Sequence, residues 1–387
     1  MSMRARSRTT VAAVAGPAAV TLAALALAAC GSSGDSGGTE AQAADQIAVA
    51  ASDDTCDVAT SELEAGVHQF TVTNSGSKVT EFYVYADGDR VMGEVENIAP
   101  GVARDLRLEL PAGEYETACK PGMVGDGIRA VLTVTGEAPS LSEDETLAQA
   151  SADYQRYVQS QTGALLERTT AFTDAVQAGD IEGAKALFPV ARTYWERIEP
   201  VAESFGDLDP LIDGREGDQA EGEDFTGFHR IEQALWETGD VSDMGPYADQ
   251  LLANVQEIVT LADEVQLDPL QLANGAKALL DEIATGKITG EEDRYSHTDL
   301  WDFRANLEGS EAAVQALRPY LEANDPELVA EIDERFAAAE AELEQYRSGD
   351  GWVSYDQLTQ DQLRGLSDTI TALTESVSQV ASVVAGK

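Results

Sequence analysis

Two hydrophobic rhythms divide the chain. From Ile47 to Glu137 apolar residues fall at alternate positions: Leu106, Leu108 and Leu110 are separated by Arg107 and Glu109, and Ile128, Ala130, Leu132 and Val134 alternate with smaller or polar residues. A period of two predicts strands with one buried face. Turn signals at Asn74-Ser75-Gly76, Asp87-Gly88, Pro100-Gly101 and Pro111-Ala112-Gly113 recur between them, as in a β-sandwich. After Gly136-Glu137-Ala138-Pro139 the period becomes 3.6. Ile181, Ala184, Leu187, Ala191, Tyr194 and Ile198 form one stripe, and Leu363, Leu366, Ile370, Leu373, Val377, Val380 and Val384 step by three and four, the spacing of a bundle seam. Breaks near Gly206 to Gly222, Gly239 to Pro246, Asp268-Pro269, Gly286 to Ser296, Asn324 to Pro326 and Ser348 to Gly351 divide this half into seven or eight predicted helices. The expected fold is multidomain: an all-β sandwich over 46–137, then an all-α helical bundle over 138–387.

Composition narrows the partners. The chain has 387 residues, 43% of them hydrophobic, enough for two or three cores. Its 25 Lys and Arg face 70 Asp and Glu, a formal charge of −45. Nothing basic is left to follow a phosphate backbone, so nucleic acid is excluded as a partner and cations become the first ligands to consider.

The N-terminus reads as an export signal. Arg4, Arg6 and Arg8 precede an apolar run from Val11 to Ala29, which predicts a signal peptide over 1–29. Gly16 and Pro17 interrupt a run already short for a membrane span. Leu27-Ala28-Ala29-Cys30 resembles the lipobox of bacterial lipoproteins, which implies lipidation at Cys30 and a flexible tether over 30–45. The expected location is outside the cytoplasm, lipid-anchored to the outer face of the cell membrane or periplasmic.

With Cys30 assigned to lipid, Cys56 and Cys119 remain. They either form a disulfide or offer thiolates to a soft metal. A copper site in the β-domain would be atypical, drawing on Cys56, Cys119, Met123 and acids such as Glu81, Glu94 or Glu96, because no histidine lies between Cys119 and Met123. Only three histidines exist, at 68, 229 and 297. His68 alternates with Phe70 and Val72 and reads as a tucked-in strand residue. His229 and Glu232, three apart, share a helical face, the arrangement of bundle carboxylate metal sites. Glu196 and Glu199 repeat that spacing, and Asp207, Asp209 and Asp213 follow. Glu196 also stands four residues from Arg192, which would supply an ordinary ion pair. Two carboxylates held ~4 Å apart repel by about 4 kcal/mol at an effective dielectric of 20, so they must share a proton or bind a cation. His297 or Asp299 either caps the helix entered near Thr298 or joins the His229 site. A two-histidine zinc-peptidase fingerprint is missing, since Gln233 stands where the second histidine would be.

Three long stretches resemble a known family. Arg192 to Asp213, Thr226 to Glu232, and Tyr295 to Phe303 with Asn306 and Gly309 are similar to the imelysin-like, or peptidase-like, domain of EfeO-type iron-uptake proteins. Phe70 to Gly76, Glu94 to Gly101 and Leu110 to Tyr115, leading to Cys119, resemble that family's cupredoxin domain. The resemblance implies an extracytoplasmic component of a ferrous or ferric iron uptake system, working beside an iron permease and a haem-dependent peroxidase. It implies His229 and Glu232 as the metal pair of the helical domain, holding iron or zinc, with Glu196, Glu199, Asp213 and His297 as companions. In the cupredoxin domain it implies a copper or ferric-iron site using Cys56, Cys119 and acids. Surface metallopeptidase and non-catalytic adhesin are the alternative functions.

Overall fold

In chain order the period-two segment forms β1 (Asp45–Ala51), β2 (Cys56–Val58), β3 (Glu62–Glu64), β4 (Gly66–Asn74), β5 (Thr80–Ala86), β6 (Arg90–Ile98), β7 (Ala103–Leu110), β8 (Gly113–Cys119) and β9 (Ile128–Thr135). The structure is a computed structural model that describes residues 45–386 apart from 207, 220, 221 and 223. The expected signal peptide, Cys30 and residues 30–44 of the tether lie outside the described residues, as does Asp207. Among the described residues no helix is long and apolar enough to cross a membrane.

The strands make two sheets, ordered β2-β1-β4-β7 and β3-β9-β8-β5-β6. β1 runs parallel to β4 and β3 to β9, while the other pairs are antiparallel. The β4–β7 register sets Phe70 opposite Leu106 and His68 opposite Leu108. Phe70, Val72, Leu106, Leu108 and Leu110 then share one buried cluster with Phe82, Val84, Leu132 and Val134 of the other sheet. His68 is tucked in as its alternation predicts, with Nε2 2.8 Å from the Glu64 carbonyl oxygen.

A Cys56–Cys119 disulfide ties β2 to β8, one sheet to the other. Bonded sulfurs are not thiolates, so the structure removes Cys56 and Cys119 from the expected metal-ligand set and keeps the disulfide alternative. The bridge closes a separation of 63 residues. A Cys56→Ser/Cys119→Ser double variant is expected to lose about 2–5 kcal/mol in denaturant unfolding of the sandwich. An unchanged midpoint and slope would show that the bridge contributes nothing to its stability.

The helical half contains α1 (Glu145–Gln177), α2 (Ile181–Glu196), α3 (Leu208–Asp213), α4 (Gly227–Gln233), α5 (Gly245–Glu264), α6 (Pro269–Thr285), α7 (Asp299–Asn324), α8 (Pro326–Leu343), α9 (Gln360–Val377) and α10 (Val380–Val384). Side chains of Asp144, Asp180, Asp268, Asp325 and Thr359 accept the first free amides of α1, α2, α6, α8 and α9, which explains where these helices start. The seam that reads as one last helix is broken at Ser378–Gln379 into α9 and α10. Two residue pairs of antiparallel strand, Arg347 with Trp352 and Ser348 with Gly351, interrupt the otherwise helical half.

On α2 the buried face keeps Ala184 and Ala191 of the apolar stripe but takes Phe188 and Trp195 in place of Leu187 and Tyr194. It carries Ala184, Phe188, Ala191 and Trp195, and with them Arg192 and Glu196, both at 0% exposure. The two halves meet through β7 and α6: Arg104 pairs with Asp281 at 2.6 Å, and Asn274 donates to the Arg107 carbonyl at 2.7 Å.

Candidate metal centre

Four pieces of chain converge beneath α2. α4 is brought against the end of α3 by Gly227, whose φ is +77° and whose added Cβ would lie 2.2 Å from the Ile212 carbonyl oxygen. Only glycine allows both the left-handed turn and that approach, and it sets His229 beside Asp213. A short 3-10 helix over Glu199–Phe205 follows α2 and is pressed by α6 at Gly275, where a Cβ would sit 1.8 Å from the Pro200 oxygen. The segment before α7 supplies Lys287, Glu292 and Asp293, all buried.

His229 is 1% exposed. Its Nδ1 lies 2.9 Å from Glu232 Oε2, and the other oxygen of Glu232 accepts from the backbone amides of Tyr295 at 3.1 Å and Ser296 at 2.8 Å. Glu232 therefore orients the ring and ties α4 to the loop, the arrangement that fixes a ligand histidine from its far side. Nε2 faces Asp213 Oδ1 at 3.5 Å and Glu292 Oε1 at 3.6 Å. Ligand atoms of Asp213, His229 and Glu292 fall within 4.8 Å of one another, as do those of His229, Glu232 and Asp293. Burial and the nearby guanidinium both oppose charge on the ring, but hydrogen bonds to Asp213, Glu232 and Glu292 outweigh them and hold the His229 pKa well above its usual value.

The crowded carboxylates are balanced by the chain's own cations. Arg192 bonds Glu196 and Asp213, reaches Glu292 at 2.9 Å, Asp293 at 3.3 Å and Asp302 at 3.5 Å, and places Nη1 3.1 Å from His229 Nε2. Lys287 Nζ is 2.8 Å from both Glu196 and Glu199, and Asn306 Nδ2 donates to the same two side chains at 2.8 and 2.6 Å. Glu196 and Glu199 are thus brought together as the spacing predicts, but an ammonium and a guanidinium hold them. Lys287 and Arg192 supply the positive charge that such crowding demands, yet burial and then Glu196 still hold the Glu199 carboxyl well above its usual value. Despite their burial, Asp213 and Glu292 are held below the usual carboxylate range, Asp213 chiefly by Arg192 and Glu292 chiefly by Lys287.

His297 is not brought to this centre. It turns the loop at φ +58°, its amide donating to the Asp293 carbonyl, and among the described residues it joins no cluster of ligand atoms. Asp299 is buried and accepts from the Asp293 amide at 3.3 Å. Glu292 was not singled out by sequence, because an acidic run in a chain break reads as solvated loop. The signal available was its position five residues before His297, inside the third similar stretch's approach.

The imelysin family model matches residues 150–380 and the cupredoxin-like domain model matches residues 18–134. The chain is 42% identical over 353 residues to the iron uptake system component EfeO of Escherichia coli K12, covering 89% of this chain and 93% of that protein. The Shigella flexneri EfeO matches to the same extent. The chain belongs to the EfeO family. A solved multicopper oxidase aligns with 24% of the chain at 15% identity and a TM-score of 0.19, a likeness too slight to carry an argument.

In this EfeO-family chain the remaining sandwich candidates gather at the junction of the two domains. Glu81, Glu94, Glu96 and Met123 line a cavity of about 420 Å³ whose far wall is Glu199, Glu203, Asp209, Arg215 and Glu282. Tyr83 donates its hydroxyl to Glu96 at 3.1 Å. Burial first, and then Glu96, push the carboxyls of Glu81 and Glu203 up to about 8. Burial and then Glu203 also hold the Glu94 carboxyl well above its usual value. Met123 therefore stands with the acids, apart from the bonded cysteines. Both the family and this donor chemistry are consistent with metal binding.

Proposed function

We propose that this chain captures iron at His229, Asp213 and Glu292 as the extracytoplasmic component of an iron uptake system, and passes it to a membrane permease. The relatives it resembles over most of its length are named as iron uptake components. The observation that carries the site is the His229 Nε2 face, where two carboxylates from separate elements converge on an imidazole whose other nitrogen is fixed by Glu232. One imidazole and several carboxylates suit ferrous iron or zinc better than a soft metal. Export, a lipid anchor at Cys30 and a haem-dependent peroxidase partner complete the reading. They rest on the N-terminal sequence and on the family resemblance.

For an ion to bind Nε2, the guanidinium 3.1 Å away has to yield its place. Capture is therefore an exchange of one cation for another, assisted by loss of any proton on the ring. A metallopeptidase reading is not favoured. Glu232, its natural general base, is engaged by His229 and two backbone amides.

The test is titration of the purified protein with ferrous iron under anaerobic conditions. His229→Ala, Asp213→Asn and Glu292→Gln are each expected to weaken binding at this centre by tenfold or more, and Glu292→Gln is the most informative because sequence alone did not single it out. Parent-like affinity in all three would reject the centre.

A further inference from the structure

We infer that Arg215 is the gate of the His229 centre: its guanidinium closes Glu292 off from the junction cavity, and a divalent cation enters and leaves through that cavity when the side chain swings aside. The inference rests on the proposed metal centre and adds the route to it. His229 is 1% exposed and Glu292 3%, so an ion reaches them only after some side chain moves. Glu292 has one oxygen on each side of this barrier. Its Oε1 faces His229 Nε2 at 3.6 Å, and its Oε2 accepts from Arg215 Nη1 at 3.2 Å. Arg215 also lines the cavity of about 420 Å³, so a single side chain separates that space from a ligand of the centre. Among the described residues it is the only Lys or Arg in the lining, which otherwise carries acids such as Glu199, Asp209, Asp218 and Glu282 and so draws cations toward the guanidinium.

Three basic side chains stand around Glu292 among the described residues: Arg192 at 2.9 Å, Arg215 at 3.2 Å and Lys287 at 3.9 Å. Their exposure gives them different work. The side chains of Arg192 and Lys287 are at 0%, and both are also bound to Glu196, whereas that of Arg215 is 28% exposed. An enclosed side chain cannot leave without unpacking its surroundings; Arg215 has solvent to move into. Its Nε lies 3.3 Å from Asp218 Oδ2, and the same oxygen accepts the Arg215 amide at 2.9 Å. A swing therefore breaks the bond to Glu292 and keeps the one to Asp218, so the guanidinium is never stranded. The backbone beneath it is pinned, since the Glu216 carbonyl accepts from Arg294 at 3.0 Å and the Glu216 carboxylate from the Tyr295 hydroxyl at 2.8 Å. The motion is a side-chain rotation over a fixed turn.

The test is kinetic. The full chain and ferrous iron are mixed without oxygen, and a chromogenic ferrous chelator added at successive delays traps the unbound ion and gives the association rate. The same chelator in excess over loaded protein gives the release rate. The phase that His229→Ala removes belongs to this centre, and its absence from the parent would overturn centre and gate together. In that phase Arg215→Gln is expected to speed association and release alike by about tenfold or more, with a dissociation constant within about threefold of the parent, which also shows that the variant is folded. Substitutions that merely weaken contacts change release far more than association, so joint acceleration marks a gate. Arg215→Lys keeps the charge without the fork and should fall between. Runs at about 0.15 M and about 0.5 M salt separate gating from steering, because the effect of one lost charge on attraction fades with screening. Association within about twofold of the parent, faster association with slower release, or an acceleration lost at the higher salt overturns the gate while leaving the His229 centre standing.

Discussion

Arg192→Met is expected to destabilise chelator-treated protein by about 3–5 kcal/mol while tightening its hold on iron. The guanidinium is fully buried and is the common partner of Glu196, Asp213, Glu292, Asp293 and Asp302. Removing one member of a buried ionic cluster strands the rest, and the penalty is that of leaving charge uncompensated in a poorly solvating interior. The affinity change has the opposite sign, since Arg192 stands 3.1 Å from the nitrogen that an incoming ion needs. A multivalent ion should therefore restore more stability to the variant than to the parent, by ordinary mass action. Arg192→Lys keeps the charge without the fork and should fall between the two. Denaturant unfolding with and without ferrous iron decides the matter. A loss below about 1 kcal/mol would mean that the network is not organised around this residue.

The second large effect concerns pH. Chelator-treated protein is expected to be most stable near pH 5 and to lose stability steadily toward pH 8, the reverse of a protein whose acids are mostly well paired. Burial raises the carboxyls of Glu81, Glu203 and Glu282 from about 4.5 to about 8. Below about 4.5 these groups are protonated both folded and unfolded and have no effect. Above it the unfolded chain ionises freely while the folded one resists, so the penalty grows until the folded groups ionise near pH 8. Asp213 and Glu292, held low by the cations beside them, work in the other direction. Their stabilisation is present above the ordinary carboxylate range and disappears on acidification. An added multivalent ion should flatten or invert the slope between pH 5 and 8, because it favours the ionised carboxylates. A melting temperature that rises through this window in stripped protein would contradict the assignment.

Much of the architecture was readable from spacing. Leu106, Leu108 and Leu110 alternate and are buried, and the change of period after Gly136 marks the passage from the last sandwich strand to the first helical turn at Leu141. The approach of His229 to Glu232, three residues away, was equally local. The helical stripe running through α2 placed Ala184, Ala191 and Ile198 correctly but was too narrow, because hydrophobicity cannot select Arg192 and Glu196 as buried. The place of Arg192 follows from partners 21 and 100 residues distant, Asp213 and Glu292, and that of Glu196 from Lys287 and Asn306. Lys287 escaped notice for the same reason. A solitary lysine in a chain break looks solvated until Glu196 and Glu199 are seen around it. Glu203 could not be paired with Glu94 from sequence, because nothing local shows which sandwich edge meets which helix.

A donor in a relay must let go as readily as it takes hold. On the proposed reading, Arg192 and Lys287 stay tethered beside the acids, so each departing ion would leave behind a replacement already in reach, and the vacated acids would never face one another bare. A site of that kind would trade tightness for turnover, as suits a lender of metal ions better than a store.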